Sequence, residues 1–205
     1  MFKYRIPLFL QLLAPSYTWK VDTHDKVLYF TFDDGPHPEI TPWVLQELKR
    51  YQAKATFFCV GENITKFPDT FQQVITEGHV CGNHTYNHLK GWSQSNANYF
   101  ENIEQANVLI QSKLFRPPYG RIKPSQARYL KSKYQLIMWS HLTCDYEKNL
   151  NIELSLKEMK KAGPGSIFVF HDSIKSFHNL QILLPQLLAH YDALGFRFDS
   201  IPVSK

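Results

Sequence analysis

Short apolar runs alternate with helix-like segments along almost all of this 205-residue chain, and that alternation limits its fold more than any other feature. The runs VLYFTF (27–32), ATFFCV (55–60), HVCGN (79–83), LFR (114–116), YQLIMWS (134–140), SIFVFH (166–171) and FRFDS (196–200) are three to seven residues long. That is the length of buried strands bounded by turn signals. Between them the helix signals are local. Thr41 as N-cap, with Pro42 at the first helical position, predicts a helix that turns Leu45, Leu48 and Tyr51 inward. Pro68 predicts another, with Phe71, Val74 and Ile75 on one face and Gly78 at its end. An amphipathic stretch over 95–113 carries Ile103 and Ile110, with Leu114 at its end, and further helices are expected from Pro124, over 152–162 and over 179–193. Strands separated in this way by helices form parallel β/α units. No glycine-rich phosphate loop follows the first strand, which counts against a nucleotide-binding open sheet. The expectation is an α/β fold, a distorted (β/α) barrel of about seven parallel strands. It would form one domain over residues 1–205, with 1–25 as an extension packed on the barrel.

The 43% hydrophobic and 15% aromatic content supplies a core and excludes a disordered chain. A formal charge of +5 suits an acidic partner, but the basic residues are scattered singly, without the interleaved aromatic and basic patch of a nucleic-acid binder. Cys59, Cys81 and Cys144 are widely spaced and include no CxxC pair, so neither a disulfide framework nor a thiolate zinc site is indicated. Cys59 and Cys81, inside apolar runs, read as small core residues. The amino terminus has a basic start and an apolar segment over 6–14, but Pro7 and Gln11 interrupt it. It is too short for a membrane span and no small-x-small cleavage site follows, so it reads as part of the packed fold. Localisation on that basis is cytoplasmic, with the cell envelope as the alternative, and a monomer is compatible with everything in the sequence.

In parallel β/α units the carboxyl ends of all strands open on one face, where such barrels carry function. Asp33 and Asp34 end the first run, His84 and His88 follow the third, Arg116 ends the fourth, Asp145 lies beyond the fifth and His171 ends the sixth. Adjacent side chains on a strand point to opposite faces, so Asp33 and Asp34 are expected to do different jobs. His84 and His88, in HTYNH, are four residues apart and could face one divalent ion from a single helical turn. With a carboxylate from another strand end, they would make a two-histidine, one-carboxylate site with open positions. Each feature alone has a bland reading: surface histidines, a structural turn at Arg116-Pro117-Pro118, a core histidine at 171.

Taken together, TFDDGP, HTYNH, RPPYG and FHDS, in this order and at these separations, resemble the motifs of the polysaccharide deacetylase family, the NodB homology domain of carbohydrate esterase family four. The resemblance covers roughly residues 26–200. It implies a metal-dependent hydrolase that removes acetyl groups from a glycan, an N-acetylglucosamine polymer such as peptidoglycan or chitin oligomers, or O-acetylated xylan. It further implies Asp33 as general base, and Asp34, His84 and His88 as ligands of a divalent metal ion, zinc by the nature of the donors. Arg116 would orient and ionise Asp33, His171 would be the general acid paired with Asp145, and the Tyr119 backbone N–H would help hold the oxyanion. Pro118, Tyr119, Trp139 and Tyr146 would contact substrate. Many members have tryptophan at the position of Tyr146, leucine at that of Val169 and an aspartate near Leu142, so the groove wall departs from the family pattern while the implied ligands and base do not. Two other readings compete: a hydrolase of small non-carbohydrate amides on the same barrel, and a glycan-binding protein without turnover. The presence of base, ligands and acid argues against the second.

Overall fold

The computed structural model describes residues 3–12 and 14–203. Its strands are β1 (Val27–Asp33), β2 (Thr56–Cys59), β3 (Val80–Asn83), β4 (Leu114–Phe115), β5 (Gln135–Leu136), β6 (His141–Leu142), β7 (Ile167–His171) and β8 (Arg197–Phe198). The helices are α1 (Leu8–Leu12), α2 (Ile40–Arg50), α3 (Gly61–Lys66), α4 (Pro68–Thr76), α5 (Asn96–Ile110), α6 (Pro124–Leu130), α7 (Ile152–Met159) and α8 (Phe177–Ala193). Seven strands lie side by side in the order β5-β4-β3-β2-β1-β7-β6, all parallel, and β8 pairs with the start of β1. The sheet curls into a barrel that stays open between β5 and β6.

Pleating sorts β1 into two faces. Leu28, Phe30 and Phe32 pack outward into the core beneath the helices, whereas Val27 and Tyr29 belong to a cluster inside the barrel with Phe58, Leu114, Ile137 and Ile167. Thr31 and Asp33 share the parity of Tyr29, so the same alternation that buries Phe30 and Phe32 aims Asp33 into the barrel mouth. The outer core is aromatic: Phe30 meets Phe168 at 4.9 Å and Phe198 at 5.0 Å between ring centroids, and Phe32 stacks between Phe57 and Phe170.

The open seam is bridged by the amino-terminal segment. On one side Thr18 N–H donates to the Leu136 carbonyl (2.8 Å) and Met138 N–H to the Thr18 carbonyl (2.9 Å). On the other, Leu142 N–H donates to Tyr4 and Ile6 N–H to Ser140. Of the apolar stretch at 6–14, Leu13 lies outside the described residues, as do Met1 and Phe2 before it. Among the described residues no helix is long and apolar enough to cross a membrane.

Several local expectations differ from what is found. The run 134–140 is a strand only at Gln135–Leu136, and Ile137 bridges to Thr18 instead. The Ile137 and Met138 carbonyls are occupied by the Arg116 guanidinium, which draws this segment out of the ladder. Thr41 is inside α2 and caps nothing; Glu39 is the N-cap residue, and the Thr41 hydroxyl donates to Asp172. In α4 the face turned inward is Thr70, Phe71 and Val74, which leaves Ile75 at the edge and 43% exposed. Leu114 is in a strand, because α5 ends at Ile110 with Gln111 in the left-handed region. Gly61 begins a short helix, α3, that the sequence reading treats only as the end of a strand.

Phe168, fully buried and touching Phe30, His141 and Tyr191, is central to the outer core. Phe168→Ala should lower unfolding stability by about 3–5 kcal/mol in urea denaturation, and a loss below about 1 kcal/mol would contradict this packing.

Candidate active site

Asp33 stands at the carboxyl end of β1, and its partner is Arg116, just past β4. The Arg116 side chain is wholly buried. Its Nη1 donates to the Asp33 Oδ1 and to the Thr31 Oγ1, each at 2.6 Å, its Nη2 donates to the Met138 carbonyl at 3.0 Å, and its plane lies 4.1 Å from the Phe58 ring centre. Burial alone would raise the Asp33 carboxyl. The charge of Arg116, joined by that of His171, outweighs it, so the group is held below its ordinary 3.8 and is ionised at neutral pH.

Asp34 leaves the strand with φ of 80°, a left-handed conformation that turns its carboxylate away from that of Asp33. It meets His84 and His88: all three ligand atoms lie within 4.8 Å of one another, with the Asp34 Oδ1 3.2 Å from His88 Nε2 and 3.8 Å from His84 Nε2. The histidines do not share a helical turn. Residues 84–90 form an irregular loop after β3, with Thr85 and His88 at φ of 67° and 57°, and these two left-handed residues fold the chain back so that both rings converge. The loop is fastened by Asn83, whose Oδ1 accepts the Thr85 N–H, and by the Thr85 Oγ1, which accepts the Leu89 N–H.

These residues fit a divalent metal. The His84 Nδ1 is 2.7 Å from the Arg116 carbonyl, so it carries the proton and leaves the Nε2 lone pair toward Asp34. Burial pushes His84 down to about 4, which keeps the ring neutral at pH 7, the form that binds a metal. Together with the family described below, the group points to a divalent ion.

Opposite Asp33, His171 ends β7 in register with it. The His171 Nδ1 is 2.7 Å from the Asp145 Oδ1, and the His171 N–H donates to the Asp145 Oδ2 at 2.8 Å. Asp145 is fully buried, and the Asn179 amide at the start of α8 pins its carbonyl. Burial opposes charge on His171, but Asp145, with Asp34 and Asp33, prevails and raises it to about 9.

The cleft above these groups has a volume of about 580 Å³. Tyr119, Trp139 and Tyr146 line it. Pro118 does not; it is buried beneath the turn. Tyr119 sits at φ of 60° with its N–H unpartnered among the described residues, and its ring is 4.7 Å from His88. A side chain at Gly120 would strike Trp139, with a Cβ only 2.3 Å from its ring, so the glycine lets the indole form the wall. Tyr146 meets His171 edge-on at 5.1 Å.

Sequence reasoning assigned no role to Asp172, which holds the site's two halves together. It is 1% exposed; its Oδ1 accepts the Gly35 N–H at 3.0 Å, its Oδ2 accepts the Thr41 hydroxyl, and its own N–H donates to the Asp33 carbonyl. A Cβ on Gly35 would lie 2.1 Å from this carboxylate. The signal was present in the sequence: Asp172 follows His171 at a strand end as Asp34 follows Asp33. Lys90, Arg121 and Lys175 on the cleft rim were also missed, because a lone lysine or arginine carries no spacing signal.

The polysaccharide deacetylase family model matches residues 20–137. A peptidoglycan-N-acetylglucosamine deacetylase of Bacillus cereus is 33% identical over 192 residues, covering 90% of each chain. A chitooligosaccharide deacetylase of Azorhizobium caulinodans is 31% identical, covering 75% of this chain and 77% of the relative. Other curated relatives are longer, and the chain spans about a third of their length. Among solved structures, the Bc1960 peptidoglycan N-acetylglucosamine deacetylase superposes with a TM-score of 0.86 at 28% identity, over 96% of this chain and 95% of that one.

Because His171 is raised, its protonated form stabilises the fold; the contribution is complete below about 6.5 and is lost as pH rises through about 9. In metal-free protein, NMR titration should place the His171 ring near 9, and Asp145→Asn should lower it by about one unit or more. An unchanged midpoint would show that Asp145 does not set it.

Proposed function

The chain belongs to the polysaccharide deacetylase family, and from that premise we propose that it removes N-acetyl groups from peptidoglycan or a related N-acetylglucosamine polymer. The observation that carries this reading is the convergence of Asp34, His84 and His88 between an ionised Asp33 on one side and a protonatable His171 on the other. Two imidazole nitrogens and one carboxylate oxygen suit zinc, held by Asp34, His84 and His88. An ion bound there would polarise the acetyl carbonyl and lower the pKa of its water to about 7.

Asp33 takes the proton released as water attacks, and Arg116 keeps it ionised and fixed in direction. The Tyr119 N–H, free of any partner among the described residues, receives charge developing on the acetyl oxygen; one such donor is worth about 3–4 kcal/mol. An amine leaves poorly as an anion, so His171 Nε2 protonates the departing nitrogen while Asp145 holds the ring by Nδ1. Trp139, Tyr119 and Tyr146 flank the sugar, with Lys175 5.3 Å from the Tyr146 ring and Lys90 5.8 Å from that of Tyr119. Neither lysine nor Arg121 has a carboxylate partner among the described residues, and a rim of unpaired cations favours a glycan bearing carboxylates, as peptidoglycan does, over neutral chitin. Residues 1–25 are read as part of this one catalytic domain, since Tyr4, Ile6 and Thr18 bridge the seam beside Trp139.

Asp33→Asn should retain stoichiometric zinc and lose about 10²–10⁴ in kcat, whereas His84→Ala should lose zinc as well. Metal content by emission spectroscopy and acetate release from peptidoglycan, chitin oligomers, acetylated xylan and small amides, assayed side by side, test both role and substrate. Near wild-type turnover by Asp33→Asn would remove it as base, and release from small amides alone would overturn the glycan reading.

A further inference from the structure

Asp34 stands directly after β1 with φ of 80°, a backbone state that residues other than glycine rarely adopt. Such a state persists only where the surroundings over-determine it, and here they do. The two backbone angles of Asp34 are set by the peptide groups on either side of it. The Asp33 carbonyl accepts the Asp172 N–H at 3.1 Å, and the Gly35 N–H donates to the Asp172 Oδ1 at 3.0 Å, so one residue spans both groups. The Asp34 carbonyl accepts from the Asn63 Nδ2 at 2.7 Å. Both polar atoms of the peptide between Asp34 and Gly35 are therefore held by side chains from elsewhere in the chain.

Those two side chains are themselves anchored. The Asp172 Oδ2 accepts the Thr41 hydroxyl, whose oxygen accepts the His37 N–H at 2.8 Å. Asn63 is carried by α3, and the start of that helix grips the histidine loop: the Gly61 N–H donates to the Thr85 carbonyl at 3.0 Å and the Glu62 N–H to the Tyr86 carbonyl at 2.6 Å. A Cβ on Gly61 would lie 2.7 Å from the Tyr86 ring, so the glycine is what lets helix and loop approach. Thus α3 touches both parts of the metal site, the loop between His84 and His88 through its main chain and the Asp34 turn through Asn63. The spacing between the carboxylate and the two imidazoles is fixed across this bridge. Asn63 itself does not line the cleft.

We propose that Asn63 and Asp172 are positioning residues that hold Asp34 in its left-handed conformation and so set the affinity of the site for its divalent ion. The proposal rests on the reading of Asp34, His84 and His88 as ligands. Zinc affinity of the full chain, measured by competition with a chromophoric chelator, should fall about tenfold or more in Asn63→Leu, which keeps the bulk and loses the donor. Lys66→Gln, on the exposed side of the same helix, should leave it unchanged. Asp172→Asn, whose amide oxygen still accepts the Gly35 N–H, should retain most of the affinity, whereas Asp172→Ala should lose about tenfold or more. If Asp172→Ala does not fold, Asn63→Leu decides. Urea unfolding of the metal-free variants supplies the second readout: a merely structural Asn63 would lower the unfolding midpoint with zinc affinity intact, and that result would overturn the proposal. Wild-type protein that takes up no zinc would remove the metal reading itself, whereas zinc bound equally by wild type and Asn63→Leu would overturn the positioning role alone.

Discussion

The buried ion pair between Arg116 and Asp33 is the interaction on which the rest of the site depends. A guanidinium with no exposure is tolerable only when its charge is matched and each of its nitrogens has a partner, and here Asp33, Thr31, Ile137 and Met138 provide this while Phe58 covers its face. Those partners come from β1 and from the segment after β5, with Arg116 itself following β4, so one side chain ties both sides of the barrel mouth. The backbone carbonyl of the same residue sets the His84 tautomer. One position thus prepares the base through its side chain and a metal ligand through its main chain.

This arrangement answers an electrostatic problem. Asp33, Asp34, Asp145 and Asp172 lie around one cleft or beneath it, and four carboxylates that close would repel one another without distributed compensation. Arg116 serves Asp33, His171 serves Asp145, a hydroxyl and a main-chain N–H serve Asp172, and Asp34 faces two imidazoles. The carboxylate left with only imidazole rings for company is the one best placed to hold a cation.

Much of this was legible in the sequence because strand parity and strand ends are local properties. The separate directions of Asp33 and Asp34 were expected from period two, and the strand-end residues Asp33, Arg116 and His171 do meet at one mouth. What was not legible depended on partners distant in the chain. HTYNH has helical spacing, but the loop conformation that brings its rings together rests on Asn83 and on left-handed residues that spacing does not reveal. Thr41 has the chemistry of a helix cap, yet Asp172, 131 residues away, claims its hydroxyl. YQLIMWS has the composition of a long strand, but Arg116 takes the carbonyls that a neighbouring strand would have used.

The amino-terminal segment gives the cleft a foundation that its wall cannot supply for itself. Trp139 lies between Met138 and Ser140, and both neighbours are hydrogen-bonded to that segment, through Thr18 and Ile6. The indole that lines the groove is therefore held in place by residues more than a hundred positions earlier in the chain. A shortened chain beginning at β1 would keep every metal ligand, the base and the acid, yet would let one wall of the groove drift. Grip on the sugar and the chemistry performed on it are thus separable by a cut that touches neither.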